Sequence, residues 1–165
     1  MQMTSNTGPR LGIHQLLNLE SVQLRLKGTQ REDVLRELVE AIPVLKKESA
    51  ARNTLFLALL EREKLHSTGI GDGVALPHAR NALVGMVENP VIVFGRYANG
   101  VPFGAIDGEP SRIFFLVVAP NVTQHLGILA RLSRMLRDPK LRQALLLAEK
   151  PDKVINLLKQ AETDL

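Results

Sequence analysis

The segment Arg62-Glu63-Lys64-Leu65-His66-Ser67-Thr68-Gly69-Ile70-Gly71-Asp72-Gly73-Val74-Ala75-Leu76-Pro77-His78-Ala79-Arg80 changes character three times. An apolar, helix-forming run ends in its first charged residues. Glycines at every second position follow, and then a short apolar piece, Val74 to Leu76, runs into Pro77 and His78. Glycine at 69, 71 and 73 permits positive φ and lets the backbone approach a ligand closely. Pro77 fixes its own φ and biases Leu76 toward extended geometry. His78 is therefore expected at the end of a stiffened strand, where a reactive side chain can be held in place. Helix, glycine turn and strand in such close succession point to a mixed α/β chain.

Upstream, Ala50 to Leu65 reads as a helix with Leu55, Leu59 and Leu60 toward the core. Arg62 and Lys64 in its last turn suit the negative end of the helix dipole. Before it, Val34, Leu35, Leu38, Val39 and Ile42 recur at three- and four-residue spacing, one apolar helical face with Pro43 near its end. Thr29 and Glu32 have the spacing of a capping box for that helix. Val22, Leu24 and Leu26 alternate with Ser21, Gln23 and Arg25, the period-two pattern of a strand over Ser21 to Leu26. Gly12 to Leu17 reads as a short helical turn.

Downstream, Asn89-Pro90 marks a turn. Val91 to Tyr97 is nearly continuously apolar, as expected of a strand covered on both faces. Ala98-Asn99-Gly100 is expected to turn the chain into a short edge strand at Val101-Pro102-Phe103, since an edge tolerates proline. That hairpin-length link predicts antiparallel pairing. Asp107-Gly108-Glu109-Pro110 is a further turn, and Ile113 to Ala119 a second apolar strand. Asn121 is placed to cap a helix with Gln124 in the reciprocal position. Asp138-Pro139 and Lys150-Pro151-Asp152 open two more helices, the last to about Ala161. The expected architecture is α/β, a mixed parallel and antiparallel sheet flanked by helices on both faces.

Composition narrows the function classes. The 165 residues suffice for one domain with its own core, assigned to residues 12–165, with 1–11 as a disordered N-terminal tail. Apolar residues make up 45% and charged residues 23%, as in an ordinary globular protein. The net charge of +4 is spread along the chain, and one tyrosine and five phenylalanines offer little for base stacking, so a nucleic-acid surface is not indicated. The absence of cysteine removes disulfides, thiolate catalysis and cysteine zinc sites, and fits a reducing compartment. No apolar stretch reaches membrane-spanning length and the start lacks a signal-peptide core, so the expected location is the cytoplasm.

The order Arg62-Glu63, Ser67-Thr68-Gly69-Ile70-Gly71 and Val74-Ala75-Leu76-Pro77-His78 resembles the active-site signature of the enzyme IIA proteins of the bacterial phosphotransferase system, mannitol/fructose class. Ala79 departs from it, at a position where glycine is frequent. The resemblance extends from about residue 12 onward. It takes in Asp107-Gly108-Glu109-Pro110, the strand into Pro120 and the helix with Leu129-Ala130-Arg131-Leu132, and it implies the same mixed-sheet fold. It also implies a phosphoryl group on His78, with His125 and Arg62 stabilising that group.

Elementary chemistry is consistent with those roles. A phosphocarrier imidazole must be neutral, with one nitrogen free to attack phosphorus and the other fixed by an acceptor. His125, at a helix start, can donate to a phosphoryl oxygen where helix N–H groups also point. Arg62 has a guanidinium fork that matches phosphate and stays charged, although it also serves as a helix C-terminal cation. Ser67 and Thr68 carry hydroxyls that can either bind phosphate or cap the turn. The glycines lack the strand-before, helix-after context of a dinucleotide site. His66 is expected to face solvent, and His14 has no assigned role. His78 and His125 lack a matched third ligand for zinc, so neither metal nor cofactor is expected.

The implied partners are the histidine-containing phosphocarrier protein HPr or a paralogue as donor, and an enzyme IIB or regulatory target as acceptor. An apolar rim that includes Ile70 would dock them, and the apolar content permits a weak homodimer. Arg-Glu-Lys-Leu-x-Ser-Thr-Gly-Ile-Gly, Asp-Gly-Glu-Pro and the stand-alone length favour the nitrogen-regulatory branch over the sugar-specific one. The rivals are a sugar-specific IIA, a binding module of this fold without phosphotransfer, and, more distantly, a metal hydrolase.

Overall fold

Among the described residues, five strands form one mixed sheet in the order β1-β4-β5-β3-β2. The coordinates are a computed structural model and describe residues 11–79 and 85–165. The expected tail thus falls outside the described residues except for Leu11, whose carbonyl accepts a hydrogen bond from Arg131 Nη2 at 2.7 Å. Arg80 also falls outside them.

The strands are β1 (Val22–Gln23), β2 (Gly69–Gly71), β3 (Val74–Ala75), β4 (Val91–Val101) and β5 (Ser111–Val118). β1 is parallel to β4, β4 antiparallel to β5, β5 parallel to β3, and β3 antiparallel to β2. The helices are α1 (Arg31–Glu40), α2 (Ser49–Leu65), α3 (Val122–Met135), α4 (Pro139–Leu147) and α5 (Pro151–Thr163). A 3-10 turn, Ile13–Leu16, stands where Gly12 to Leu17 reads as helical.

Successive residues of β5 point to opposite faces. Ile113, Phe115 and Val117 enter one core with Ile128, Leu132, Leu145, Val154 and Leu158 from α3, α4 and α5. Phe114, Leu116 and Val118 enter the other with Leu35, Leu38, Leu55 and Leu59 from α1 and α2. Helices on both faces are therefore a direct consequence of the continuous apolar runs Val91–Phe94 of β4 and Ile113–Val118 of β5, which present apolar side chains to both sides of the sheet.

Four expectations need correction. Ala98 to Gly100 do not reverse the chain: β4 continues to Val101, which pairs with Ser111, and the extra residues are absorbed as a register irregularity after Arg96. Turn-forming residues serve a bulge as well as a hairpin. No edge strand therefore forms at 101–103, and the antiparallel connection is the 102–110 segment between β4 and β5. β1 is only two residues long, although Leu26 N still donates to Arg96 O at 2.9 Å. The capping box at Thr29 does not form. Gln30 is the N-cap without a side-chain bond, and Glu37 instead accepts from the backbone of Lys27 and Gly28.

The cap at Asn121 is present, its Oδ1 accepting from Gln124 N at 2.9 Å. The reciprocal bond runs from Asn121 Nδ2 to Gln124 Oε1 rather than from Asn121's backbone. Asp138 caps α4 as its position implies.

Candidate functional site

β3 and β5 are parallel, so both lead out of the sheet at the same edge. β3 continues into Pro77 and His78. β5 continues through Ala119 and Pro120 into α3, which carries His125 in its first turn. β2 runs antiparallel to β3, so its start, and the end of α2 before it, lie at that edge too. Segments far apart in sequence thus deliver His78, His125 and Arg62 to one place. It lies outside the carboxyl ends of parallel strands, where open α/β sheets place their ligands.

The glycine segment is a strand-turn-strand hairpin rather than an open loop. Gly71, Asp72 and Gly73 form its tip at φ +92°, +55° and +76°, a left-handed run that glycine makes affordable. Asp107 holds this tip, accepting from Asp72 N at 2.9 Å and Glu109 N at 3.1 Å, and these bonds keep its carboxyl below the usual range. Gly69 is needed for space instead, since a Cβ would fall 3.0 Å from Ala105 Cβ.

Leu76 N donates to Thr68 O at 2.9 Å, and Val117 N to Pro77 O at 3.1 Å, so the segment before His78 is tied on both sides. His78 Nδ1 lies 2.7 Å from Leu76 O. A carbonyl only accepts, so Nδ1 carries the proton and Nε2 keeps its lone pair. Burial lowers the His78 pKa, the Leu76 carbonyl partly offsets this, and the like charge of Arg62 lowers it further.

His125 packs edge-on against His78, ring centroids 5.2 Å apart at 62°. It is 7% exposed, and neither ring nitrogen has a hydrogen-bond partner. Burial, and then the neighbouring His78, push its pKa down to about 4. A buried imidazole with both polar atoms unanswered is costly unless a ligand answers them.

Arg62 donates through Nη1 to His66 O at the end of α2. It thus closes its own helix as a C-terminal cation while its charge also reaches His78. Ser67 Oγ donates to Phe103 O and accepts from Gly69 N at 2.9 Å. Thr68 is 3% exposed and its hydroxyl donates to Glu63. Both hydroxyl protons are committed to the scaffold, which places Ser67 and Thr68 as turn-builders in this conformation. His66 is exposed. Among the described residues no three His, Cys, Asp or Glu side chains are placed to hold a metal ion, and no helix is long and apolar enough to cross a membrane.

Sequence reasoning gave no role to Glu63. It is 4% exposed and accepts from both Thr68 N, at 3.1 Å, and the Thr68 hydroxyl. Its inward orientation follows from its place four residues beyond Leu59 on the buried face of α2, and that continued Leu55–Leu59 spacing was the available signal.

Residues 15–161 match the family described as phosphoenolpyruvate-dependent sugar phosphotransferase system, EIIA 2. The fructose-specific EIIABC component of Bacillus subtilis is 36% identical over 90% of this chain, which spans 23% of that longer protein. The nitrogen regulatory protein IIA-Ntr of Neisseria meningitidis superposes with TM-score 0.77 at 30% identity, over 88% of this chain and 98% of its own. The Escherichia coli enzyme IIA-mannitol, solved in complex with phosphorylated enzyme IIB-mannitol, superposes with TM-score 0.74 at 27% identity, over 88% and 99%. These structures share the mixed five-stranded sheet with its flanking helices.

Proposed function

We propose, given that this chain belongs to the type 2 enzyme IIA family of the phosphoenolpyruvate-dependent sugar phosphotransferase system, that His78 is the residue on which it carries the phosphoryl group. The chain is a phosphotransfer component of that system. The observation that supports His78 is the 2.7 Å contact from Nδ1 to Leu76 O, which leaves Nε2 as the nucleophile. Its depressed pKa keeps that lone pair available at neutral pH. The P–N bond of an incoming phosphohistidine breaks as the bond from Nε2 to phosphorus forms. The electron pair of the broken bond stays on the donor nitrogen, so that a donor ring protonated on its other nitrogen leaves as neutral imidazole. The His78 ring takes the positive charge and keeps its Nδ1 proton hydrogen-bonded to Leu76 O. The unpartnered His125 and the guanidinium of Arg62 are the groups nearest to hand for the phosphoryl oxygens. Such transfer depends chiefly on positioning and electrostatics.

The donor is HPr or a paralogue. Ile70, Val122 and Leu126 are exposed on β2 and at the start of α3, segments that bring the site together, and form the apolar rim on which it docks. We assign the chain to the nitrogen-regulatory branch. This rests on the Arg62 to Gly71 phrase and the Asp107 to Pro110 turn. The second reading is a sugar-specific IIA that passes phosphate to an enzyme IIB, favoured by the 36% identity to the fructose component.

Purified HPr and its nitrogen-type paralogue, charged from phosphoenolpyruvate, test both levels. The wild-type chain takes up one acid-labile, base-stable phosphoryl group and His78→Ala takes up none. Uptake by His78→Ala overturns the assignment. No uptake by the wild type favours a binding module. Efficient onward transfer to a sugar IIB overturns the regulatory branch.

A further inference from the structure

We infer that Glu63 is the positioning residue of this site: its buried carboxylate fixes Thr68, Thr68 fixes Leu76, and Leu76 fixes the ring of His78. This rests on the reading of His78 given above.

The connection can be followed bond by bond. Glu63 Oε2 accepts from Thr68 N at 3.1 Å and Oε1 from the Thr68 hydroxyl. Thr68 O accepts from Leu76 N at 2.9 Å. Leu76 O accepts from His78 Nδ1 at 2.7 Å. The one hydrogen bond to the phosphoryl-accepting ring therefore leads back, through the Leu76–Thr68 bond just beyond the β2–β3 pairing, to the last turn of α2, beside the separate tie from Val117 N to Pro77 O.

A carboxylate is an expensive way to cap a turn. It is removed from water here, and that burial raises its pKa. Two donors from Thr68 and the charges of Arg31 and Arg62 oppose the rise. A single hydroxyl could satisfy Thr68 N alone. A carboxylate accepts from both Thr68 donors at once, which fixes the residue in position and rotation together. It also sits one residue from Arg62, so one helix turn supplies both the phosphate-facing cation and the anchor for the histidine's acceptor.

The inference predicts effects on tautomer as well as on rate. In Glu63→Leu the Leu76 carbonyl loses its tether, and His78 populates both neutral tautomers instead of the Nδ1–H form alone. Nitrogen-15 shifts of the His78 ring in the unphosphorylated protein read this directly. The phosphorylation rate by charged HPr falls on the order of tenfold or more, the scale of a reacting atom displaced by a fraction of an ångström. Glu63→Gln accepts from Thr68 N through its Oε1 and donates through Nε2 to the Thr68 hydroxyl oxygen, so it restores the tautomer and most of the rate. Thr68→Val, which keeps the backbone donor, shifts the tautomer partway and remains informative if Glu63→Leu fails to fold.

Folded Glu63→Leu or Thr68→Val protein with the wild-type tautomer overturns the inference. A loss of rate in Glu63→Gln equal to that in Glu63→Leu does so as well. The tautomer measurement needs no phosphoryl donor, so its failure is separable from a failure of His78 as the phosphorylated residue.

Discussion

At the scale of single residues, the site holds two neighbouring imidazoles that burial keeps neutral and that differ in their hydrogen bonds. His78 has one nitrogen tied to a carbonyl, whereas His125 has none tied to anything. The His125 pKa of about 4 has a consequence for stability. The unfolded chain protonates this ring near pH 6.5, and the folded chain resists until about pH 4. Between those values the unfolded state binds the extra proton, so stability falls as pH drops through the window. His78 adds to the same trend. Urea unfolding at pH 7.5 and pH 4.5 should show a smaller acid loss for His125→Gln than for the wild type. Phosphorylation should act in the opposite sense. A dianion beside His125 favours its charged form, so its NMR titration should move to higher pH in the phosphorylated protein. At this scale the sequence was informative about His78, through the proline before it, and about Asn121 as a cap. It was ambiguous about Glu63, which continues the Leu55–Leu59 spacing, because a glutamate in the last turn of a helix reads as a solvated charge until the packing against Thr68 is seen.

Elements were legible where one period dominates. The apolar spacing of α1 and the apolar run of β5 locate their elements, although α1 stops at Glu40, short of Ile42, and β5 runs from Ser111 to Val118 rather than from Ile113 to Ala119. β4 was read four residues short, because Asn99-Gly100 satisfies a bulge and a turn equally. The place of β4 in the sheet also explains its glycine. A Cβ on Gly95 would fall 2.7 Å from both Leu26 Cδ1 and Leu38 Cδ2, on the face packed against α1. Gly95→Ala should therefore destabilise the protein by about 1–3 kcal/mol through overpacking, measured by chemical denaturation. Arg96 beside it donates to Leu145 O at 2.9 Å and Ala148 O at 2.6 Å, which satisfies the end of α4 from the middle of the sheet. Burial lowers its pKa, yet it remains charged at any pH at which the protein folds.

For the whole molecule, the described ends of the chain meet behind α3. Glu162 Oε2 accepts from Arg131 Nε at 3.0 Å and Nη2 at 2.5 Å, while its Oε1 accepts from Ile13 N at 2.8 Å. One carboxylate thus joins α5, the helix that carries His125, and the start of the fold. Glu162→Ala leaves a half-buried guanidinium without its partner and should cost about 2–3 kcal/mol in urea unfolding, with early loss of amide protection at Ile13. Two cores share β4 and β5, so unfolding by heat and by denaturant should follow one transition by circular dichroism and by phenylalanine-sensitive NMR probes alike. Local order was already written in the chain: periodicity, caps and a proline-ended strand specify helices, strands and the setting of His78, because these depend on neighbours within a turn or a rung. Strand order, the burial of Glu63 and the meeting of Arg62, His78 and His125 depend on which distant segments share one sheet edge, and only long-range packing supplies that.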